Sequence, residues 1–213
     1  MDDRTENIRW YQYSQTFPDR YLERSYFDDF KDRMVEKDMS ILDIGGGVKG
    51  SLSQSQARGN SVWLMDPFVS GCPESYIGKV VTPDRQYDLI IMRGSFNYLV
   101  PLEIIELQKF LKPDGKIIFN TFIQPTEIFR PYFKNKKFTG YEKSIYEPDG
   151  SGERGSIWHF LIPEKGKIIK HRFFYYPHDF ITKVGFKDMA IQWKFDKNTA
   201  IYVVQHKFEE VKI

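Results

Sequence analysis

Apolar positions along this chain change their period several times, and each change marks an element. Between residues 8 and 38, Tyr21, Leu22, Phe27, Phe30 and Met34 recur at helical spacing among many charges, which predicts one or two amphipathic helices. Residues 40–44 are a short apolar run leading straight into glycines, the pattern of a buried strand. A weak helix over 51–58 and a second strand over 61–65 follow, the latter ending on Asp66 and Pro67. Gly71, Pro73 and Gly78 make 68–79 a loop, and Val80 with Val81 suggests a short third strand. Residues 87–92 are a clear buried strand. Leu102, Ile105, Leu107, Phe110 and Leu111 then show helical spacing up to a turn signal at Lys112, Pro113, Asp114 and Gly115, and a strand over 116–122 comes next.

Strands alternating with helices predict an α/β fold, a mostly parallel sheet with helices on both faces. The rhythm breaks after residue 123. Pro125, Pro131, Pro148, Gly150, Gly152 and Gly155 punctuate residues 124–176 between β-rich pieces at 156–162 and 167–176, which reads as an insertion forming a small antiparallel lid. After Pro177 a helix is expected up to Gly185. Two strands over 187–195 and 200–207, joined by a turn at 196–198, close the chain. The expected organisation is a single domain over 1–213: a helical N-terminal cap (1–38), a core (39–123), the lid insertion (124–176) and a C-terminal helix with a strand pair (177–213).

Composition mainly adds exclusions. The 213 residues suffice for one α/β domain with a real core. A formal charge of +2 lacks the dense basic surface that a nucleic-acid partner demands. The single cysteine, Cys72, allows neither an internal disulfide nor a thiolate cluster, so a reducing, cytoplasmic setting is expected. None of His159, His171, His178 and His206 shows a metal-ligand spacing, and no metal site is expected. The chain begins without the apolar core of a signal peptide, and no apolar run approaches the ~20 residues that span a bilayer. Aromatic residues reach 16% and gather toward both ends, either as core or as the lining of a pocket.

Candidate chemistry concentrates after the first strand. Gly45, Gly47 and Gly50 satisfy G-x-G-x-x-G, and the motif follows a strand and is placed to open a helix. Glycines there permit a tight turn and a close backbone approach to a ligand. Asp43, two residues earlier, bears on which ligand. A carboxylate at that strand end would repel the pyrophosphate of a dinucleotide, whereas S-adenosylmethionine (SAM) carries an ammonium, a sulfonium and no phosphate. Asp66, at the end of the second strand, suits ribose hydroxyls in either cofactor class.

Taken together, these pieces resemble the class I SAM-dependent methyltransferases. Ile41, Leu42, Asp43, Ile44, Gly45, Gly46 and Gly47 resemble their first motif, and Met65, Asp66 and Pro67 their second. Residues 87–99 are similar to their fourth strand with its loop, residues 110–119 to their helix–turn–fifth-strand signature, and Val184, Gly185 and Phe186 with the strand pair to their C-terminal end. The stretch between Asp66 and Asp88 is short for the family, and only Asp84 offers an acidic partner for an adenine amino group. The resemblance implies a Rossmann-like sheet, mostly parallel with an antiparallel last strand, flanked by helices and carrying the β-rich lid. It implies SAM as methyl donor and a cofactor set of Asp43, Gly45, Gly46, Gly47, Asp66, Pro67, Arg93, Gly94 and Ser95. It also implies N-terminal helices folding over the cofactor, where Arg20 and Arg24 either pair with its carboxylate or simply line a solvated face.

The remaining polar residues sort by strand end, because open α/β sheets bind ligands beyond the carboxyl ends of their strands. Arg93, Gly94, Ser95, Asn120 and Thr121 lie at such ends, with Arg93 and Gly94 expected to touch the cofactor through backbone groups. Asp88 lies at the opposite end and is expected to be structural. Asn97 and Tyr98 either face the substrate or stabilise their own loop. His159, in the expected lid, is the candidate general base, since its ordinary pKa lies near neutrality, with a packed or surface histidine as the plain alternative. The expected acceptor is an oxygen or nitrogen of a small molecule (metabolite, sugar or glycan precursor). The competing readings are a protein or RNA methyltransferase, a SAM-binding protein without catalysis, and a nicotinamide dehydrogenase.

Overall fold

In the computed structural model, residues 26–46, 50–65, 85–99, 101–122, 140–146, 155–164, 167–196 and 199–206 are described. The elements in chain order are α1 (Tyr26–Met34), β1 (Ser40–Ile44), α2 (Gln54–Arg58), β2 (Ser61–Met65), β3 (Tyr87–Met92), α3 (Pro101–Glu106), β4 (Leu111–Phe122), β5 (Gly140–Tyr146), β6 (Gly155–Glu164), β7 (Lys167–Tyr175), α4 (His178–Phe180), β8 (Ala190–Asp196) and β9 (Thr199–Gln205). Six strands form the main sheet in the order β2-β1-β3-β4-β9-β8. β2, β1, β3 and β4 run parallel, β9 is antiparallel to β4, and β8 is antiparallel to β9.

Alternation along the strands decides which helix covers which face. Ile41, Leu89, Ile91, Ile118, Ile201 and Val203 point to one face, where they bury Phe27 and Phe30 of α1. Leu42, Ile90, Met92, Ile117, Phe119, Tyr202 and Val204 point to the other, against Leu107, Phe110, Phe180, Ile181 and Phe186. Phe119 stacks between Phe96 and Tyr202, with centroids 4.0 and 4.9 Å away. Each fully buried Phe of this kind contributes ~1.5–3 kcal/mol of transfer free energy, so Phe27 and Phe30 suffice to dock α1.

The expected rhythm of strands and helices is present, with differences at the boundaries. The turn expected at 112–115 lies within β4: Tyr87 pairs with Leu111 but Leu89 with Lys116, so these residues bulge from the ladder. The helix expected to reach Leu111 tightens into a 3-10 turn over Leu107–Phe110, and the one after Pro177 opens into a π turn over Ile181–Gly185. The closing strands begin at Ala190 and Thr199 rather than at 187 and 200. The segment expected as an insertion contains a separate three-stranded antiparallel sheet, β5-β6-β7. Two of its strands match the expected β-rich pieces, and β5 is additional. The short third strand at 80–81, the loop at 68–79 and the part of the N-terminal cap before Tyr26 lie outside the described residues.

This topology creates a switch point. The chain leaves β1 toward β2 on one side and then returns to β3 on the other, so the direction of winding reverses beside β1. Such a switch point is where open α/β sheets hold ligands.

Candidate functional site

Beyond β1 the chain turns sharply at Gly45, which has φ of 73°. Its amide donates to Met65 O at 2.8 Å, joining the ends of β1 and β2. A Cβ at Gly45 would sit 2.4 Å from Ser95 Cβ, so only glycine lets the loop after β3 pass this close. At Gly46 an added Cβ would fall 2.5 Å from Asp43 Oδ2. The glycines therefore serve the approach of neighbouring groups as much as the turn itself.

Asp43 is fully buried at the base of this turn. Its carboxylate accepts from the Ser51 amide at 2.5 Å and from Ser51 Oγ at 2.8 Å. Asp43 and Ser51 stand on opposite arms of the turn, so the two bonds clasp it shut. Two charge-assisted bonds to one buried carboxylate are among the stronger polar contacts a protein makes.

The end of β3 is braced from three directions. The Arg93 guanidinium forms a fork with Asp28 of α1, Nε to Oδ1 at 2.7 Å and Nη2 to Oδ2 at 2.8 Å. The side chain of Arg93 is thereby committed to holding a helix, and its backbone is what the strand end presents. The Gly94 amide donates to Asn120 Oδ1 at 2.7 Å, while among the described residues nothing lies within 4 Å of where a Gly94 Cβ would be. Ser95 Oγ donates to Ile44 O at 2.5 Å, linking this loop to β1. The residues on either side of Gly94 are thus pinned by their side chains.

Asn97 belongs to the frame. It is fully buried, its amide donates to Phe174 O at 2.8 Å, and its carbonyl accepts from Thr121 Oγ1 at 3.0 Å. Tyr176 adds a second tie, donating to Leu99 O at 2.7 Å. Between substrate contact and loop stabilisation, the geometry of Asn97 selects stabilisation. These two bonds also fasten the end of β7 and the residues after it to the loop beyond β3.

The sequence-derived site therefore separates into groups. Asp43, Gly45, Gly46, Arg93, Gly94 and Ser95 come together at the switch point. Gly47, Asp66 and Pro67 lie outside the described residues, β2 ending at Met65. His159 falls in β6, the middle strand of the small sheet, opposite Glu142 of β5 and Arg172 of β7; its side chain is likewise outside what is described. Arg20 and Arg24 lie outside as well. Asp88 stands at the amino end of β3 and accepts from the Ser40 amide at 2.7 Å and Lys112 Nζ at 2.8 Å. Among the described residues no group of three His, Cys, Asp or Glu side chains is placed to hold a metal ion, and no helix is long and apolar enough to cross a membrane.

Sequence reasoning missed Asp28, Lys31 and Ser51. Asp28 and Lys31 read as part of a solvated helix face, yet they are only 8% and 4% exposed. The available signal was their spacing: 28, 31 and 32 share one helical face adjoining the apolar stripe of Phe27 and Phe30.

Residues 19–183 match the family described as "Methyltransferase domain". Among curated proteins, no match to the sequence is found. Among solved structures, a protein of Pyrococcus horikoshii OT3 is similar with a TM-score of 0.61 at 18% identity, covering 92% of this chain and 99% of its own. An S-adenosylmethionine-dependent methyltransferase of Clostridium acetobutylicum ATCC 824 is similar at 0.54 and 16% identity, covering 93% and 98%. A 1,6-didemethyltoxoflavin-N1-methyltransferase of Burkholderia thailandensis is similar at 0.58 and 10% identity, covering 94% and 85%. At these identities the structures speak for the fold.

Proposed function

Because this chain belongs to the methyltransferase-domain family, we propose that it transfers a methyl group to an oxygen or nitrogen of a small molecule, such as a metabolite, sugar or glycan precursor. SAM is the methyl donor. The observation that carries the reading is the buried Asp43 at the base of the glycine turn. A carboxylate there opposes a pyrophosphate and favours a cationic ligand, and the turn it braces packs against Ser95 in the loop after β3. The Burkholderia enzyme, a 1,6-didemethyltoxoflavin-N1-methyltransferase with bound 1,6-didemethyltoxoflavin, supports the small-molecule acceptor, as does a net charge of only +2.

In this reading Asp43, Gly45, Gly46, Gly47, Asp66, Pro67, Arg93, Gly94 and Ser95 hold the cofactor. When bound, SAM supplies an electrophilic methyl group that leaves a neutral thioether behind. The protein's part is to align the acceptor and exclude water. The glycine turn and the strand end at Gly94 would hold the cofactor. The small sheet, β5-β6-β7, serves as the lid that encloses the acceptor, with Tyr141, Tyr146 and Trp158 among its residues. His159 takes the proton where the acceptor is a hydroxyl, because such a nucleophile holds its proton tightly.

Calorimetry with S-adenosylhomocysteine and with NAD tests the cofactor, and only the former is expected to bind. Strong NAD binding would overturn the reading. Turnover of labelled SAM against pooled metabolite, RNA and protein fractions tests the acceptor, with label expected among small molecules. Label in RNA or protein would replace the acceptor class, and binding without turnover would indicate a non-catalytic SAM-binding protein.

A further inference from the structure

We propose that Lys31 is a positioning residue for the cofactor turn. It acts from α1 through Ser51 upon Asp43, and the inference rests on the turn being the SAM site. The Lys31 side chain is only 5% exposed, which is rare for a lysine without partners. Its ammonium donates to the Ser51 carbonyl, and it lies 3.4 Å from Asp32 Oδ1 and 3.9 Å from Asp28 Oδ1. Ser51 is the residue whose amide and hydroxyl grip the Asp43 carboxylate. Lys31 thus pins the carbonyl of the residue that clasps the glycine turn.

The neighbouring contacts show why this is more than helix docking. One face of α1 reaches three parts of the site: Asp28 to Arg93 at the end of β3, Lys31 to Ser51, and Asp32 to Gln56 Nε2 of α2 at 3.0 Å. Phe27 and Phe30, on the adjoining stripe, already secure the helix to the sheet. The charged face adds ties that fix the helix relative to the strand end and to the turn. Removing Lys31 leaves Asp28 in its Arg93 fork and leaves Asp32, which is partly open to water, its hydrogen bond from Gln56. The cost should therefore fall on the turn rather than on the fold, and a binding loop left without its supporting contacts loses ligand affinity.

The test compares wild type, Lys31→Met, Lys31→Arg and Lys112→Met by S-adenosylhomocysteine calorimetry, SAM kinetics and thermal unfolding. Lys31→Met should weaken S-adenosylhomocysteine binding by about tenfold and raise the KM for SAM similarly, while kcat at saturating SAM stays within about twofold. Lys31→Arg, which keeps a buried cation and donor, should recover part of that loss. Lys112→Met, which removes an ion pair at the far end of the sheet, should leave the affinity unchanged. Wild-type affinity in Lys31→Met, or equal weakening in the two Met variants, would overturn the proposal. If Lys31→Met does not fold, the neutral Lys31→Gln replaces it under the same criteria. Failure of the wild type itself to bind S-adenosylhomocysteine would instead count against the cofactor reading.

Discussion

The two ends of the central sheet use the same residue types for different purposes. At the amino end, Asp88 gathers the Ser40 amide and Lys112, tying the starts of β1 and β3 to the bulge in β4. That pair is open to water, with the side chains 32% and 44% exposed. At the carboxyl end, the side chains of Asp28 and Lys31 are 12% and 5% exposed and Asp43 is fully buried. An exposed pair contributes ~0–1 kcal/mol and tolerates small displacements, because water replaces whatever is lost. Buried charges have no such substitute, so their geometry is fixed and each depends on its partners. The amino end therefore fastens strands, whereas the carboxyl end holds loops in place. A ligand site needs the second kind of order.

Two glycines provide the sharpest way to break this contrast, since they are almost equally crowded. A Cβ at Gly46 would lie 2.5 Å from Asp43 Oδ2, and one at Gly115 would lie 2.6 Å from Tyr87 O. Gly46→Ala should lower S-adenosylhomocysteine affinity by about 100-fold, a loss of ~2.7 kcal/mol, because the clash displaces the carboxylate that clasps the turn. Gly115→Ala should leave affinity unchanged and cost ~1–3 kcal/mol of stability, the usual range for overpacking. For a chain of this size each kcal/mol lowers Tm by roughly 2–4 °C. Calorimetry and thermal unfolding on both variants decide the matter. Equal effects of the two on affinity would mean that the ends are not functionally distinct.

The same contrast explains what was legible in the sequence. Strands such as β1 and β3 are continuous apolar runs because both faces of the sheet are covered, and a run of that kind needs no partner to be recognised. The glycine turn was legible because it is local: Asp43, Gly45 and Gly46 lie within a few residues of one another. Asp88 was assigned correctly from its strand end alone. What stayed hidden is the bracing, because it joins positions far apart in the chain. Asp28 meets Arg93 and Asn97 meets Phe174 only after folding, and helical periodicity places Asp28 and Lys31 among ordinary surface charges. Asn97 was equally ambiguous, since a polar residue at a strand's carboxyl end fits either a ligand contact or a loop tie. The boundaries of β4 shifted for a local reason, a bulge that ladder pairing continues across.

A second break concerns the frame rather than the turn. Asn97 lies on the carboxyl side, yet its bonds to Phe174 O and Thr121 Oγ1 join the loop after β3 to the end of β7. Asn97→Ala removes both of these buried hydrogen bonds, at a combined cost of ~1–3 kcal/mol. Thermal unfolding should register a fall in Tm larger than that of Lys112→Met at the amino end. A Tm for Asn97→Ala no lower than that of Lys112→Met would show that the buried ties are not the stronger class.

The smallest effect tests the amino end directly, through pH. Burial alone would raise the Asp88 carboxyl, but the Lys112 ammonium and the Ser40 amide outweigh it and hold the group below the ordinary carboxylate range. A folded-state pKa below the unfolded value of ~3.9 contributes stability above that value, and the contribution disappears as pH falls through the lowered folded pKa. Lys112→Met removes the foremost of the groups that lower it. Near neutral pH the variant should therefore be less stable than wild type by no more than ~1 kcal/mol, given the exposure of the pair. On acidification through the carboxylate range the gap should close, because wild type then loses the same contribution. Unfolding curves at several pH values measure it. A gap that persists below the lowered pKa would mean that Lys112 contributes through packing of its aliphatic stem, and the amino end would then be held by contacts rather than by charge.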